Sequence, residues 1–221
     1  MFPQVRRCSA FLLGNHHRCP GARGSLSSPR QPQPHRWATQ ARHSRGRVGP
    51  IELPPTEPRA PRLDHERHLF DVDLPDGTKL LESETVEPGH DTRVAAAPFG
   101  GLGLSVCYDL RFPELYRRLV DQGAIALAVP AAFTLTTGKD HWHVLLRARA
   151  VEQQCYVLAA AQTGHHYGRR WSYGHAMVVD PWGTIIAQCG EGAGVAVAAI
   201  DPGRVADVRG AVPSLAHRRL R

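Results

Sequence analysis

Apolar and polar positions fall into regular runs only from about Leu63 onward. In Arg67–Pro75, Phe70, Val72 and Leu74 alternate with Asp71 and Asp73, which predicts a short strand with one wet face. Asp76 and Gly77 signal a turn, with Lys79 inside it, and residues 79–98 read as an exposed loop with an edge strand at Thr92–Ala97. Leu102, Leu104 and Val106 form a compact apolar run that predicts a buried strand ending near Cys107. Pro113 suits the first turn of a helix, where its missing N–H costs nothing, and that helix runs to about Asp121 with Gly123 as its stop. Ala124–Val129 and Cys155–Ala161 read as two further buried strands. Between them, His141–Gln154 is a helix with Trp142, Leu145, Leu146 and Val151 on its apolar face. Arg149 and Glu152, three apart, are placed to pair on it. Ala176–Asp180 and Thr184–Gln188 flank Pro181, Trp182 and Gly183 as a hairpin, and Val195–Ile200 is a last strand. Strand, helix, strand, helix, strand and a trailing hairpin make an α/β layered fold.

Residues 1–62 show no such periodicity. No Asp or Glu precedes Glu52, Arg recurs throughout, and Pro, Ser, Gly and His fill the gaps. Such a segment lacks the apolar surface that offsets ordering entropy, so it reads as a disordered basic leader and linker ahead of a folded region at 63–221. The net charge of +7 belongs to this stretch. Its arginines are scattered, broken by prolines and free of aromatic interleaving, which argues against nucleic acid as a partner. An Arg-rich, Ser-containing, acid-free start is the composition of an organelle transit peptide, so the expected location is mitochondrial, cytoplasmic or both. No apolar run is long enough to predict a membrane span. Five cysteines, odd in number and without CxxC pairing, speak against a disulfide scaffold or structural zinc. The pairs His141 with His143 and His165 with His166 lack a carboxylate or Cys at ligand spacing, so no metal site is expected.

Cys107 is the candidate for chemistry. It stands where a buried strand gives way to a helix, a corner at which the following backbone N–H groups, Tyr108 first, are candidate oxyanion donors. Position alone leaves open whether the thiol is a nucleophile or inert packing.

The segment Ser105–Leu119 (SVCYDLRFPELYRRL) resembles the nucleophile segment of the nitrilase superfamily of carbon–nitrogen hydrolases, a cysteine followed by an aromatic, an acid and Arg-Phe-Pro-Glu. The likeness continues through Pro130–Phe133, Thr137–Trp142, Leu146–Tyr156 and Ser172–Gly183 to His217, and upstream it includes His68–Pro75. The wording is nearest to the Nit branch, whose members hydrolyse deaminated glutathione and ω-amides. The resemblance implies the C-terminal portion of a four-layer αββα sandwich and hydrolysis of a small amide through a cysteine thioester. It implies no metal or organic cofactor, and homo-oligomerisation in the full-length family form. Cys107 takes the nucleophile position, Asp73 that of a candidate accessory acid, and Phe133 and Tyr173 are candidate pocket residues. An ω-amidase, a ureido-acid amidohydrolase and a non-catalytic interaction protein stay open as alternatives.

The family also implies a catalytic lysine two residues before the His-Leu-Phe-Asp run, and here that position is Glu66. The two lysines, Lys79 and Lys139, do not match it, and Glu52 and Glu57 lack the strand that precedes the family's general base. The likeness begins abruptly at this motif. An incomplete reading of a longer coding sequence and a shortened, non-catalytic relative are both compatible with that pattern.

Overall fold

The computed structural model describes residues 9–13, 66–73, 77, 79–168 and 170–220. In chain order its strands begin with β1 (Ser9–Leu13), β2 (Asp71–Asp73), β3 (Lys79–Leu81), β4 (Val94–Ala97) and β5 (Gly100–Leu104). A 3-10 turn over Cys107–Arg111 leads into α1 (Pro113–Asp121), β6 (Ala124–Ala128), α2 (Leu135–Gln153) and β7 (Tyr156–Ala159). There follow β8 (Thr163–Tyr167), β9 (Arg170–Tyr173), β10 (Met177–Val179), β11 (Ile185–Gln188), β12 (Val195–Ala199) and α3 (Pro202–Ala211).

The expected α/β layering is present. One sheet has the order β11-β10-β7-β6-β5-β4. Its centre, β5, β6 and β7, is parallel, and the antiparallel strands β4 on one side and β10 with β11 on the other complete it. The crossovers α1 and α2 lie between the parallel strands, as parallel pairing requires. Both faces of the central strands are covered, so they read as continuous apolar runs. Leu127, Val157, Met177 and Val179 face the helices and pack with Leu115, Leu119, Trp142 and Leu146. Their neighbours Ala126, Tyr156, Leu158 and Val178 point the other way and meet Ile200 and Val205, the latter from α3. That alternation is the period of two expected of strands.

α1 spans the predicted residues, with Pro113 in its first turn and Gly123 beyond its end at φ +97°. α2 starts about two turns earlier than predicted. The Thr134 hydroxyl accepts the Thr137 N–H and caps it, so the segment containing Lys139 is helix rather than loop. Gly138 lets this added helix lie against β9, since a Cβ there would stand 2.3 Å from Cβ of Tyr173. Trp142 and Leu146 are buried as expected, but Val151 is 52% exposed. The buried face runs instead through Arg149, Ala150 and Gln153. Arg149 holds Glu152 at 3.0 Å as predicted. Lys79 lies in β3, not in a turn, because β2 and β3 pair as an antiparallel hairpin. The β8–β9 hairpin and α3 were not anticipated, the latter capped by Asp201, whose side chain accepts the Gly203 N–H at 2.8 Å.

Within the basic leader, β1 runs parallel to β12, from Ser9 opposite Val195 to Leu13 opposite Ala199. The expectation of disorder over the rest of 1–62 falls outside the described residues. Among the described residues no helix is long and apolar enough to cross a membrane.

Candidate active site

The turn that follows β5 is pinned from three sides. Ser105 donates its N–H and hydroxyl to the Ala128 carbonyl, at 3.2 and 2.8 Å, and its Oγ lies 2.8 Å from the Tyr116 hydroxyl. Cys107 N–H donates to the Pro130 carbonyl at 2.9 Å, just past the end of β6. At the far end of the turn, Arg149 donates through Nε and Nη2 to the Leu110 carbonyl, at 3.1 and 2.8 Å. Cys107 itself takes a left-handed conformation, φ +43°. For a residue with a Cβ this costs about 1–3 kcal/mol and persists only where the surroundings over-determine it.

Asp109 is the hub of that determination. It is buried, and its carboxylate accepts the Val106 N–H at 3.0 Å within the turn. From 41 and 42 residues earlier in the chain it also accepts the His68 N–H at 3.1 Å and the Arg67 N–H at 3.2 Å, and it lies 2.8 Å from His68 Nδ1. The His68 ring stacks on Phe112, centroids 3.6 Å apart. These contacts lay the segment 66–70 across the nucleophile turn, and they bring Glu66 to Tyr108: the Tyr108 N–H donates to Glu66 Oε1 at 2.7 Å.

Cys107 opens on a cleft of about 500 Å³ whose lining includes Glu66, Leu80, Glu82, Ala132, Gln162 and Arg170. Burial, reinforced by the Glu66 and then the Glu82 carboxylates, pushes the thiol up to about 12 against the pull of the Ala132 backbone and Arg170. The resting sulfur is therefore a thiol. Burial likewise pushes the Glu66 carboxyl up to about 8. The Tyr108 amide opposes the shift, and Glu82 and Asp109 add to it. Glu82 is held by the Phe70 N–H, which donates to its Oε2 at 2.8 Å.

The other sequence candidates fall elsewhere. Asp73 is exposed on β2 and does not line the cleft; from the same hairpin region it is Glu82 that does. Phe133 is buried against Trp142, centroids 4.9 Å apart, beneath the Arg111 guanidinium, and borders only a narrow crevice beside Cys107. Tyr173 faces a second cavity of about 500 Å³, together with Lys139, His165, Trp171, His175 and Glu191. Lys79, in β3, is exposed and absent from the cleft lining. Glu82, Gln162 and Arg170 were not singled out from sequence. They come from three separate segments, and no local spacing marks them as partners of Cys107.

Residues 57–210 match the carbon–nitrogen hydrolase family, and the chain belongs to it. It is 58% identical over 156 residues to a deaminated glutathione amidase of Synechocystis sp., covering 70% of this chain and 57% of that protein. With the human deaminated glutathione amidase it shares 50% over 153 residues, 69% of this chain and 47% of that one. The crystal structure of the Caenorhabditis elegans NitFhit protein, a nitrilase and fragile histidine triad fusion, superposes with a TM-score of 0.66 at 51% identity, over 70% of this chain and 38% of that one. The chain thus spans about half the length of the relatives it matches.

Proposed function

We propose that the Cys107 cleft is an amide-hydrolysing site of the deaminated glutathione amidase type. The observation that carries this reading is the strained, left-handed Cys107 at the C-terminal side of β5, facing a cleft with the next residue's N–H turned toward the same space. In the proposed reaction Sγ bonds to the amide carbonyl carbon, and the π pair moves to oxygen beside the Tyr108 N–H. Collapse expels the nitrogen, which takes a proton and leaves as ammonia. Water then cleaves the thioester, releasing the acid and restoring the thiol. No metal or organic cofactor enters these steps. Support for the substrate comes from the relatives named deaminated glutathione amidase.

A second reading, a nitrilase-derived protein with little turnover, is favoured by Glu66. It stands where the resemblance implies a lysine, and no lysine is among the described residues lining the cleft. Loss of one oxyanion donor alone costs about a hundred- to a thousand-fold in rate. The test is ammonia release from deaminated glutathione by the purified chain beside a Cys107→Ala control. We expect slow release, abolished in the control; release that survives in Cys107→Ala removes the cysteine mechanism. Homo-oligomerisation and a mitochondrial or cytoplasmic location are further proposals, checked by light scattering and by a fluorescent fusion to residues 1–50.

A further inference from the structure

We propose that Glu66 is a built-in stopper of the Cys107 site: its carboxyl occupies, on the Tyr108 amide, the place that the oxygen of an attacked carbonyl requires. This rests on the reading of Cys107 as the nucleophile of an amide hydrolase.

The geometry is specific. The turn at Cys107 leaves the Tyr108 N–H without a partner in the turn's own hydrogen bonding, and that donor is the one adjacent to the nucleophile. It is not free. Glu66 Oε1 accepts it at 2.7 Å, while Glu66 also lines the cleft on which the Cys107 side chain opens. The contact is not a chance approach of a mobile surface chain. The two residues that follow Glu66 are tied by their backbone N–H groups to the buried Asp109 carboxylate, within the same turn as Tyr108. The stopper and the donor it covers are held by one anchor. A carboxylate there repels a developing oxyanion, and a neutral carboxyl still takes the amide N–H as an acceptor. A carbonyl substrate must therefore compete with an intramolecular group of high effective concentration for a single donor. Opening the site means moving the Glu66 side chain away from the amide, with the Asp109 anchor left in place.

The competition can be read with an aldehyde probe, which needs no turnover. When [1-13C]propionaldehyde meets the thiol, an S–C bond forms, the thiol proton passes to the carbonyl oxygen, and the carbon signal moves from trigonal to tetrahedral. That oxygen requires the same Tyr108 donor. Titrations at pH 6.5 would compare wild type, Glu66→Ala, Glu66→Gln and a Cys107→Ala blank. Glu66→Ala uncovers the amide and should bind the probe about tenfold more tightly, the worth of one ordinary hydrogen bond. Glu66→Gln keeps an acceptor oxygen on the amide and should stay near wild type. If both variants tighten equally, loss of the carboxyl rather than the uncovered amide is the cause and the stopper is overturned; no tightening in Glu66→Ala overturns it too. Failure of the probe to form an adduct at Cys107 in every variant instead sinks the nucleophile reading beneath it. Amide exchange in the wild type gives an independent check that needs no folded variant. The Tyr108 N–H should be protected, and exchange at the rate of an open loop refutes the contact.

Discussion

Replacing Glu66 by Gln should change how stability depends on pH more than it changes stability itself. Burial lifts the Glu66 carboxyl from its ordinary 4.5 to about 8 in the folded protein. The folded state therefore resists ionisation that the unfolded chain accepts. The sign follows: the stability tied to this group is complete below about pH 4.5 and is lost as pH rises through about 8. At about 1.36 kcal/mol per pKa unit the ceiling is roughly 5 kcal/mol, and partial exposure of the side chain with solvent screening brings the expected loss to roughly 2 kcal/mol. Gln has nothing to ionise, and its amide oxygen can still accept the Tyr108 N–H. Urea unfolding of wild type and Glu66→Gln at several pH values from 5 to 9 isolates the effect. His143 and His166, which burial holds below the usual imidazole range, titrate alike in both proteins and cancel in the difference. The wild type should lose stability relative to the variant between pH 5 and 8, and the gap should level off above about 8.5. Two curves that stay parallel across that range would mean that Glu66 ionises freely, and the account of its burial would be wrong.

Other outcomes follow from the same contacts. Because burial and two carboxylates hold the Cys107 thiol up at about 12, iodoacetamide at pH 7.5 should alkylate it at least about a hundredfold more slowly than free cysteine. Mass spectrometry after timed quenching measures this, and a rate equal to free cysteine's contradicts it. Asp109→Ala strands the half-buried N–H groups of Val106, Arg67 and His68, and should cost about 3 kcal/mol, with Asp109→Asn losing about half of that. Denaturant midpoints decide, and an unchanged midpoint for Asp109→Ala would refute the hub. Gly138→Ala drives a methyl to 2.3 Å from Tyr173 Cβ and should destabilise by about 1–3 kcal/mol. Gly210→Ala, in α3 with open space around it, should stabilise by up to about 1 kcal/mol; thermal melts separate the pair.

The sequence by itself determined the elements whose burial is local in character. The apolar runs of β5, β6 and β7 and the positions of Pro113 and Gly123 follow from period and backbone constraint, which neighbours in the chain carry. The corner at Cys107 was legible for the same reason, since a strand end and a helix start lie nine residues apart. The start of α2 was not, because a single threonine cap and a close approach at Gly138 to a distant strand decide it. Asp73 and Glu82 illustrate the rest. Both are acids near one hairpin, and sequence pattern has no means of choosing between them. The antiparallel register of β2 and β3 leaves Asp73 exposed, and the Phe70 amide holds Glu82, which lines the cleft. Phe133 follows a plausible strand and Tyr173 lies in a matching motif, yet packing turns Phe133 into the core and Tyr173 into a second cavity. Glu66 stood in the sequence as a charge where a lysine was implied. Only the tertiary structure set it on the Tyr108 amide, because the Asp109 carboxylate closes a 42-residue gap that no local pattern records.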